Sequence, residues 1–169
     1  MNPAEFEAIG RATGIYDFMW LRYSWPAMES LHFISLAVLL GSIGLFDLRL
    51  VGFAKGIPVR TVHRLIPFGV AAYVANICTG SLFFLTFPDQ YLYNPAFQTK
   101  LCFMAVAGLN VLLFYSTVAR RALAAGPGED VPPAARVMGV VSLGAWLCVI
   151  ACGRLITMHR PPEHWCFWC

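Results

Sequence analysis

Charged residues are scarce in this chain of 169 residues. They make up 12% of the sequence, against about 25% in an average soluble domain, whereas hydrophobic residues make up 59%. A single compact unit of this length has no soluble core large enough to bury so much apolar surface. The basic residues form no stripe interleaved with aromatic residues, so no nucleic-acid partner is expected. The composition therefore excludes an ordinary soluble domain and indicates a membrane protein.

Motifs of hydrolytic enzymes are absent as well. The sequence contains no Ser/His/acid set with a plausible nucleophile elbow, no phosphate loop and no zinc-protease helix. We expect no cleavable signal peptide, because the first residues are acidic where a signal needs a basic start, and no apolar run follows them. These observations assign no enzyme class.

Four long apolar stretches are present instead. Each is close to the ~20 residues that span a hydrocarbon core about 30 Å thick. The predicted fold class is all-α, with one integral membrane domain built as an antiparallel bundle of four transmembrane helices. The predicted helices cover about residues 27–50, 63–87, 99–122 and 135–158.

The predicted bundle is flanked by two other segments. Residues 1–25 are predicted to form an interfacial segment with a short amphipathic helix. Trp20, Tyr23 and Trp25 mark a membrane boundary, where amphipathic rings prefer to lie. Residues 159–169 form a tail rich in cysteine, histidine and tryptophan.

The basic residues predict an orientation. Seven Arg and Lys residues fall in the loops that join helices one and two and helices three and four, against one in the loop between helices two and three. The positive-inside rule places the first and third loops in the cytoplasm. Both termini are then predicted to lie outside, in the periplasm if the membrane is a bacterial inner membrane.

Alternation of the helices places several polar residues at comparable depth. Glu29 and His32 are predicted in the outer leaflet, and Arg154 and Met158 reach the same side at the end of helix four. His63 lies at the opposite edge, and at about 1.5 Å per residue its level differs from that of His32 by most of the bilayer. The two histidines therefore cannot bind one metal ion between them.

Polar residues of helix one fall roughly on one face. Glu29, His32 and Asp47 share this face, which is predicted to point into the bundle because charges that point at lipid are strongly disfavoured. Asn76 in helix two and Asn110 in helix three are expected to bridge helices by hydrogen bonds.

The charges at the inner end of helix one are expected to have a structural role. Asp47 and Arg49 are two residues apart and cannot face each other on one helix. We expect Arg60 or Arg64, across the cytoplasmic loop, to be the partner of Asp47. Such charges usually only hold a loop in place.

His32 is the leading candidate for chemistry. An outer-leaflet histidine with Arg154 at similar depth suits a b-type haem, whose iron the imidazole would bind and whose propionate the guanidinium would neutralise. Met158 or His159 would then approach as a sixth ligand. The alternative is structural, with the imidazole hydrogen-bonded to a polar neighbour or a backbone carbonyl to fix helix packing.

The C-terminal tail is a second candidate site. His159, His164, Cys166 and Cys169 supply four ligands that suit a transition metal. The C-x-x-C pair can equally form a disulfide outside the cytoplasm, or the tail can be an aromatic anchor that happens to carry cysteines. It is not a c-type haem attachment site, because no histidine follows Cys169.

Several motifs resemble an uncharacterised bacterial family of small four-helix integral membrane proteins. The motifs are SLHF at 30–33, LGSIGLFDLRLVG at 40–52, IPVR at 57–60, NICTG at 76–80, YNPAFQTK at 93–100 and GRL at 153–155. This resemblance covers most of residues 20–157 and implies the bacterial inner membrane, but it implies no activity.

A weaker resemblance concerns the first helix alone. Leu31-His32 at its start, a glycine further along and the Arg49-Leu50 pair at its end are similar to the first helix of the copper-resistance D membrane domain and of the J-type protoporphyrinogen oxidase. In the oxidase family that histidine is a haem ligand, which corresponds to His32 here. The oxidase's Tyr-Leu-Pro-Arg-Leu motif is replaced by Leu-Phe-Asp-Leu-Arg-Leu at 45–50, so the resemblance implies a haem-binding bundle and not the reaction.

The leading functional hypothesis is a b-haem or metal-binding redox subunit that carries electrons in the inner membrane. Its partners would be membrane lipid and a redox partner or other membrane subunits. The competing class is a non-catalytic membrane subunit or scaffold whose polar residues hold helices together. A third class is a small transporter, which the lack of a continuous file of polar residues makes less favourable.

Overall fold

The computed structural model describes residues 2–158. Within that range the chain is helical with no strand, so the all-α prediction is confirmed. The helices are α1 (Pro3–Ala12), α2 (Ile15–Met19), α3 (Ser24–Val51), α4 (Val59–His63), α5 (Ile66–Thr86), α6 (Pro88–Leu92), α7 (Pro95–Thr117), α8 (Ala119–Ala122) and α9 (Pro133–Leu155), followed by a 3-10 turn (Ile156–Met158).

Four segments are long and apolar enough to cross a membrane, as predicted. They are Ser24–Val51, Val59–Thr86, Pro95–Thr117 and Pro133–Met158. The first begins about one turn before the predicted start, because Pro26 is tolerated in the first turn of α3, where its missing N–H is not needed. The chain is a multi-pass membrane protein.

Antiparallel spans give the bundle two distinct ends. The N-terminal segment, α6 and the end of α9 lie at one end, called the N-terminal face. The loops 52–58 and 118–132 lie at the other end, called the loop face.

Helix α3 is the centre of the packing. It lies against α5 on one side and α9 on the other, and α7 packs against α9. Within the described chain, α5 and α7 do not pack closely along their length. The predicted inward face of α3 is wrong at Glu29, which is exposed, whereas Asp47 is buried and His32 is half-buried, as predicted. The buried residues also include Ser35, Leu39, Ser42 and Phe46. Small serines in this stripe permit the close approach of neighbouring helices.

Two buried apolar clusters fill the bundle. One lies towards the loop face around Phe46, Leu50 and Phe114. The other crosses the middle of the bundle and is built from Leu39, Ala72, Ala107, Ala145, Trp146 and Val149. This second cluster is called the apolar layer.

The N-terminal segment folds back against the bundle. Gly14 has a left-handed φ of 72°, which divides the predicted interfacial helix into α1 and α2. Phe6 packs edge-on against Phe84 of α5 with ring centroids 5.0 Å apart. A Cβ on Gly10 would lie 2.6 Å from the carbonyl oxygen of Leu85, so only glycine permits this approach.

Asn94 joins the start of α7 to the end of α9. Its side-chain oxygen accepts a hydrogen bond from the N–H of Ala96 at 3.0 Å, which caps α7 ahead of Pro95. Its side-chain nitrogen donates to the carbonyl of Ile156 at 3.1 Å. A buried amide therefore ties the two helix ends together at the N-terminal face.

The loops of the loop face are joined by ion pairs. Asp130 accepts from Lys55 at 2.6 Å and from Arg136 at 2.9 Å. The hydrogen bond from Lys55, and its positive charge, hold the pKa of the Asp130 carboxyl below its usual value. The N–H of Gly128 also donates to the carbonyl of Lys55 at 2.8 Å, so the two loops are joined through backbone as well as side chains.

Gly139→Ala tests the contact between α3 and α9. A Cβ there would lie 3.1 Å from both the Asp47 carbonyl oxygen and the Leu50 Cβ, atoms attached to a rigid helix backbone. We expect the change to destabilise the bundle by about 1–3 kcal/mol in a denaturation experiment. Gly144→Ala in the same helix meets nothing within 4 Å and is the control. Equal stability of the two variants would contradict this packing.

Asp130→Asn tests the link between the loops through its pH dependence. Because the folded-state pKa is depressed, the ion pairs contribute stability above the unfolded-state pKa of about 4, and the contribution is lost as pH falls through the folded-state pKa. We expect the variant to melt below the wild type at pH 7, and the difference to shrink as the pH falls below the unfolded-state pKa of about 4. A difference that stays constant with pH would contradict the assignment. Asp89→Asn, at an exposed carboxylate of the opposite face, is the control.

Candidate functional site: the polar cluster around His32

His32 is bonded to α5 by two hydrogen bonds. Its ring Nδ1 lies 2.7 Å from the hydroxyl oxygen of Thr79. Its backbone carbonyl accepts a hydrogen bond from the side-chain nitrogen of Asn76 at 3.3 Å. The structure therefore brings together His32 and Asn76, two residues singled out in the sequence, and adds the buried Thr79.

Thr79 has carbonyl acceptors for its own hydroxyl proton. They are the carbonyls of Ala75 at 2.9 Å and of Asn76 at 3.2 Å. When the hydroxyl proton goes to one of them, the oxygen accepts from His32 Nδ1. A neutral ring in this arrangement has Nδ1 protonated and the lone pair on Nε2.

Aromatic rings connect His32 to the N-terminal face. Phe83 lies edge-on to the imidazole, with centroids 5.8 Å apart. Trp25 contacts Phe83 at 4.9 Å and Phe87 at 5.5 Å. Gly80 lies beside the ring, where a Cβ would be 3.7 Å from the Cε1 atom next to Nε2. The side chain at position 80 is thus kept small next to the free nitrogen.

Lys100 is the cation of the site, and it was not predicted as a site residue. Its ammonium group interacts electrostatically with His32 and with Cys152 of α9. Its Nζ lies 3.9 Å from the position that a Cβ on Gly153 would occupy. Among residues 2–158 it has no carboxylate partner. Its position one turn into a span, at the depth of His32, is the sequence signal that could have identified it.

Arg154 and Met158 are placed differently from the predicted site. Arg154 is exposed at the end of α9, and Met158 is 70% exposed in the 3-10 turn. Both lie at the N-terminal face, as His32 does, but in the described chain Lys100 is the cation that acts on the imidazole. The structure thus brings neither predicted residue into contact with His32.

The proposed tail ligands His159, His164, Cys166 and Cys169 lie outside the described residues. Among residues 2–158, no group of three or more His, Cys, Asp or Glu side chains is arranged to hold a metal ion. The described part of the chain therefore offers no self-sufficient metal site of these ligands.

Asp47 and Arg49 form a second polar region, nearer the loop face. Asp47 is 4% exposed and lies beside Ser142 of α9, whereas the expected partners Arg60 and Arg64 are both exposed. The expected pairing is therefore wrong, because Asp47 is buried between helices and the two arginines are not. One carboxylate oxygen of Asp47 has no hydrogen-bond partner in the described chain.

Arg49 is 1% exposed and holds the two loops of the loop face. Its guanidinium donates to the carbonyls of Ile57 at 2.6 Å, Gly126 at 3.1 Å and Glu129 at 3.2 Å. Asn110 acts nearby, where it donates to the carbonyl of Met138 at 3.0 Å and so bridges α7 to α9. These polar residues make structural contacts between helices and loops.

Comparisons with known proteins identify a family and no activity. No curated protein matches the chain, and no solved structure matches it. A family model described as a family of unknown function, DUF6644, matches residues 8–159 and thus nearly all of the described bundle, including His32, Thr79 and Lys100. The chain belongs to this family, DUF6644.

Proposed function

We propose that this protein is a cofactor-binding redox subunit of the bacterial inner membrane, in which His32 Nε2 is an axial ligand of a b-type haem. The observation that carries the proposal is the hydrogen bond between His32 Nδ1 and the hydroxyl of Thr79, at 2.7 Å. Histidines that bind metals usually donate their other ring N–H to a fixed acceptor, which orients the ring and sets the tautomer. Such a haem would carry one electron by cycling between ferrous and ferric iron.

The donor set favours a cofactor that brings its own ligands. A bare metal ion needs three or four protein ligands, and residues 2–158 contain no such group. A porphyrin supplies four nitrogens and needs only one or two axial ligands from the protein. One imidazole with a free Nε2 therefore suits haem better than it suits a bare ion.

A nearby cation and small residues beside His32 also support a haem. Lys100 takes the role that the sequence assigned to Arg154, a cation able to neutralise a propionate. Gly80 and Gly153 keep the positions beside the imidazole and the ammonium free of larger side chains. These residues belong to α3, α5, α7 and α9, so all four spans contribute to one site. Bundle interiors commonly hold such sites.

A scaffold function is the second candidate, and the same hydrogen bonds favour it. Thr79 and Asn76 tie α3 to α5 through His32 whether or not a cofactor binds. A transporter is less well supported, because the buried apolar layer separates the His32 cluster from Asp47.

Two finer points belong to the same proposal. We place the loop face in the cytoplasm and the N-terminal face in the periplasm, because the arginines concentrate at the loop face.

The tail residues His159, His164, Cys166 and Cys169 remain a proposed transition-metal site, which elemental analysis of the purified protein tests.

His32→Ala tests the haem ligand. We expect the purified wild-type chain, expressed with haem supplied, to show a Soret band that this variant loses. His63→Ala is the matched control, because His63 is also hydrogen-bonded in the bundle, to Tyr115 at 2.9 Å, but lies near the loop face. A folded, colourless wild-type protein would overturn the haem proposal and leave the scaffold.

Thr79→Val tests the orienting hydrogen bond separately from the ligand. Loss of a residue that hydrogen-bonds a metal ligand typically weakens metal affinity about 10–100-fold. We therefore expect the Soret band of the variant to disappear at a lower concentration of a competing haem-binding protein. Thr86→Val is the control, because among residues 2–158 the Thr86 hydroxyl is bonded only within α5, to the carbonyl of Leu82 at 2.7 Å. If Thr79 only held helices together, haem affinity would not change and stability would fall by about 0.6 kcal/mol.

A further inference from the structure

Four arginines of the loop face are exposed and have no acidic partner within the described chain. Arg60 lies in α4, Arg64 follows it, and Arg120 and Arg121 lie in α8. None of them takes part in an ion pair or side-chain hydrogen bond among residues 2–158. They leave a concentrated positive charge at the level where lipid headgroups meet the bundle.

The other cations of this face are already satisfied. Arg49 binds three loop carbonyls, and Lys55 and Arg136 share Asp130. The carboxylate of Glu129 accepts from the N–H of Gly126 at 2.7 Å. The four arginines are therefore a separate group and not part of the loop network.

Residues of the two helices that carry the arginines share one buried cluster. Val59 of α4 is buried in it with Ala119 and Ala122 of α8, and the N–H of Val59 donates to the carbonyl of Ala125 at 3.3 Å. Arg60 directly follows Val59, Arg120 and Arg121 lie between the two alanines, and Arg64 lies one helical turn beyond Arg60. The shared burial thus places the two arginine pairs at one end of the bundle, on a surface called the arginine surface.

Hydrogen-bonding groups lie close in sequence to both pairs. His63 of α4 is bonded to the hydroxyl of Tyr115 at the end of α7, at 2.9 Å, and the charge of Arg60 acts on the His63 ring. The Tyr115 side chain is partly exposed. The arginine surface therefore combines positive charge with an imidazole and a phenol, a set suited to a phosphate group.

Apolar surface continues from the arginine surface into the membrane. The spans α5 and α7 do not pack closely along their length in the described chain, and apolar side chains on both are exposed, among them Val70, Val74, Val111 and Leu112. Phe53 of the neighbouring loop is exposed as well. A ligand of this region would thus have an anionic head and apolar chains.

We propose that the arginine surface binds an anionic phospholipid, with the phosphate at the four arginines and the acyl chains along α5 and α7. Basic pockets between transmembrane helices are known to select anionic headgroups. The lipid would close the side of the bundle where two spans fail to pack. The inference is independent of whether His32 binds a haem.

The experiment uses the full chain in a neutral detergent. Native mass spectrometry and thermal melting are recorded with phosphatidylglycerol, with phosphatidylcholine of the same chain length, and with inorganic phosphate. We expect bound phosphatidylglycerol and a higher melting temperature, and neither effect from the other two. The double variants R60Q/R64Q and R120Q/R121Q should each bind phosphatidylglycerol about tenfold more weakly than the wild-type protein does.

The double R22Q/R154Q is the matched control, because it removes two exposed arginines from the N-terminal face and lowers the net charge equally. Its phosphatidylglycerol affinity should be unchanged. The proposal is overturned if the control loses as much affinity as the other doubles, if phosphatidylcholine binds equally well, or if inorganic phosphate alone reproduces the stabilisation. The two loop-face doubles lie on different helices, so a folding defect in one leaves the other as the test.

Discussion

The hydrocarbon core of a bilayer offers no hydrogen-bond partners, so the polar groups of the central helix α3 have to be satisfied within the protein. Thr79 of α5 bonds the imidazole of His32. Ser142 of α9 lies beside the Asp47 carboxylate. Arg49 takes its partners from the backbone of both loops. These bonds select the helices and loops that lie against α3, and the remaining packing follows from that selection.

The two ends of the bundle differ in chemistry because an apolar layer separates them. Towards the N-terminal face, His32 lies beside the ring of Phe83 and within the electrostatic influence of Lys100. At the loop face, cations outnumber carboxylates, and the cations that the loops do not use remain exposed. A cofactor site at one end and a lipid surface at the other are therefore compatible within a chain of this size.

Hydropathy predicted the spans because insertion depends on local composition over about 20 residues, which the sequence displays directly. The predicted pairing of Asp47 failed because sequence distance says little about which helix comes close. Gly139 lets α9 approach the backbone of α3, and Ser142, one turn further along, then reaches the carboxylate. Lys100 escaped prediction for a related reason. A lysine near the start of a span usually lies at the membrane interface. Only the packing of α7 against α9 directs this one towards the inside of the bundle.

The sequence by itself determined the all-α class, the four spans, and the depth of His32 opposite to that of His63, because each depends on composition and on the rise per residue. Only the tertiary structure decided the partners. Thr79 and Asn76 became the hydrogen-bond partners of His32, and Lys100 rather than Arg154 lies within electrostatic reach of the imidazole. Arg60 and Arg64 remained exposed. The physical reason is that helical periodicity locates a residue on a face, whereas close approach at small residues decides which faces meet.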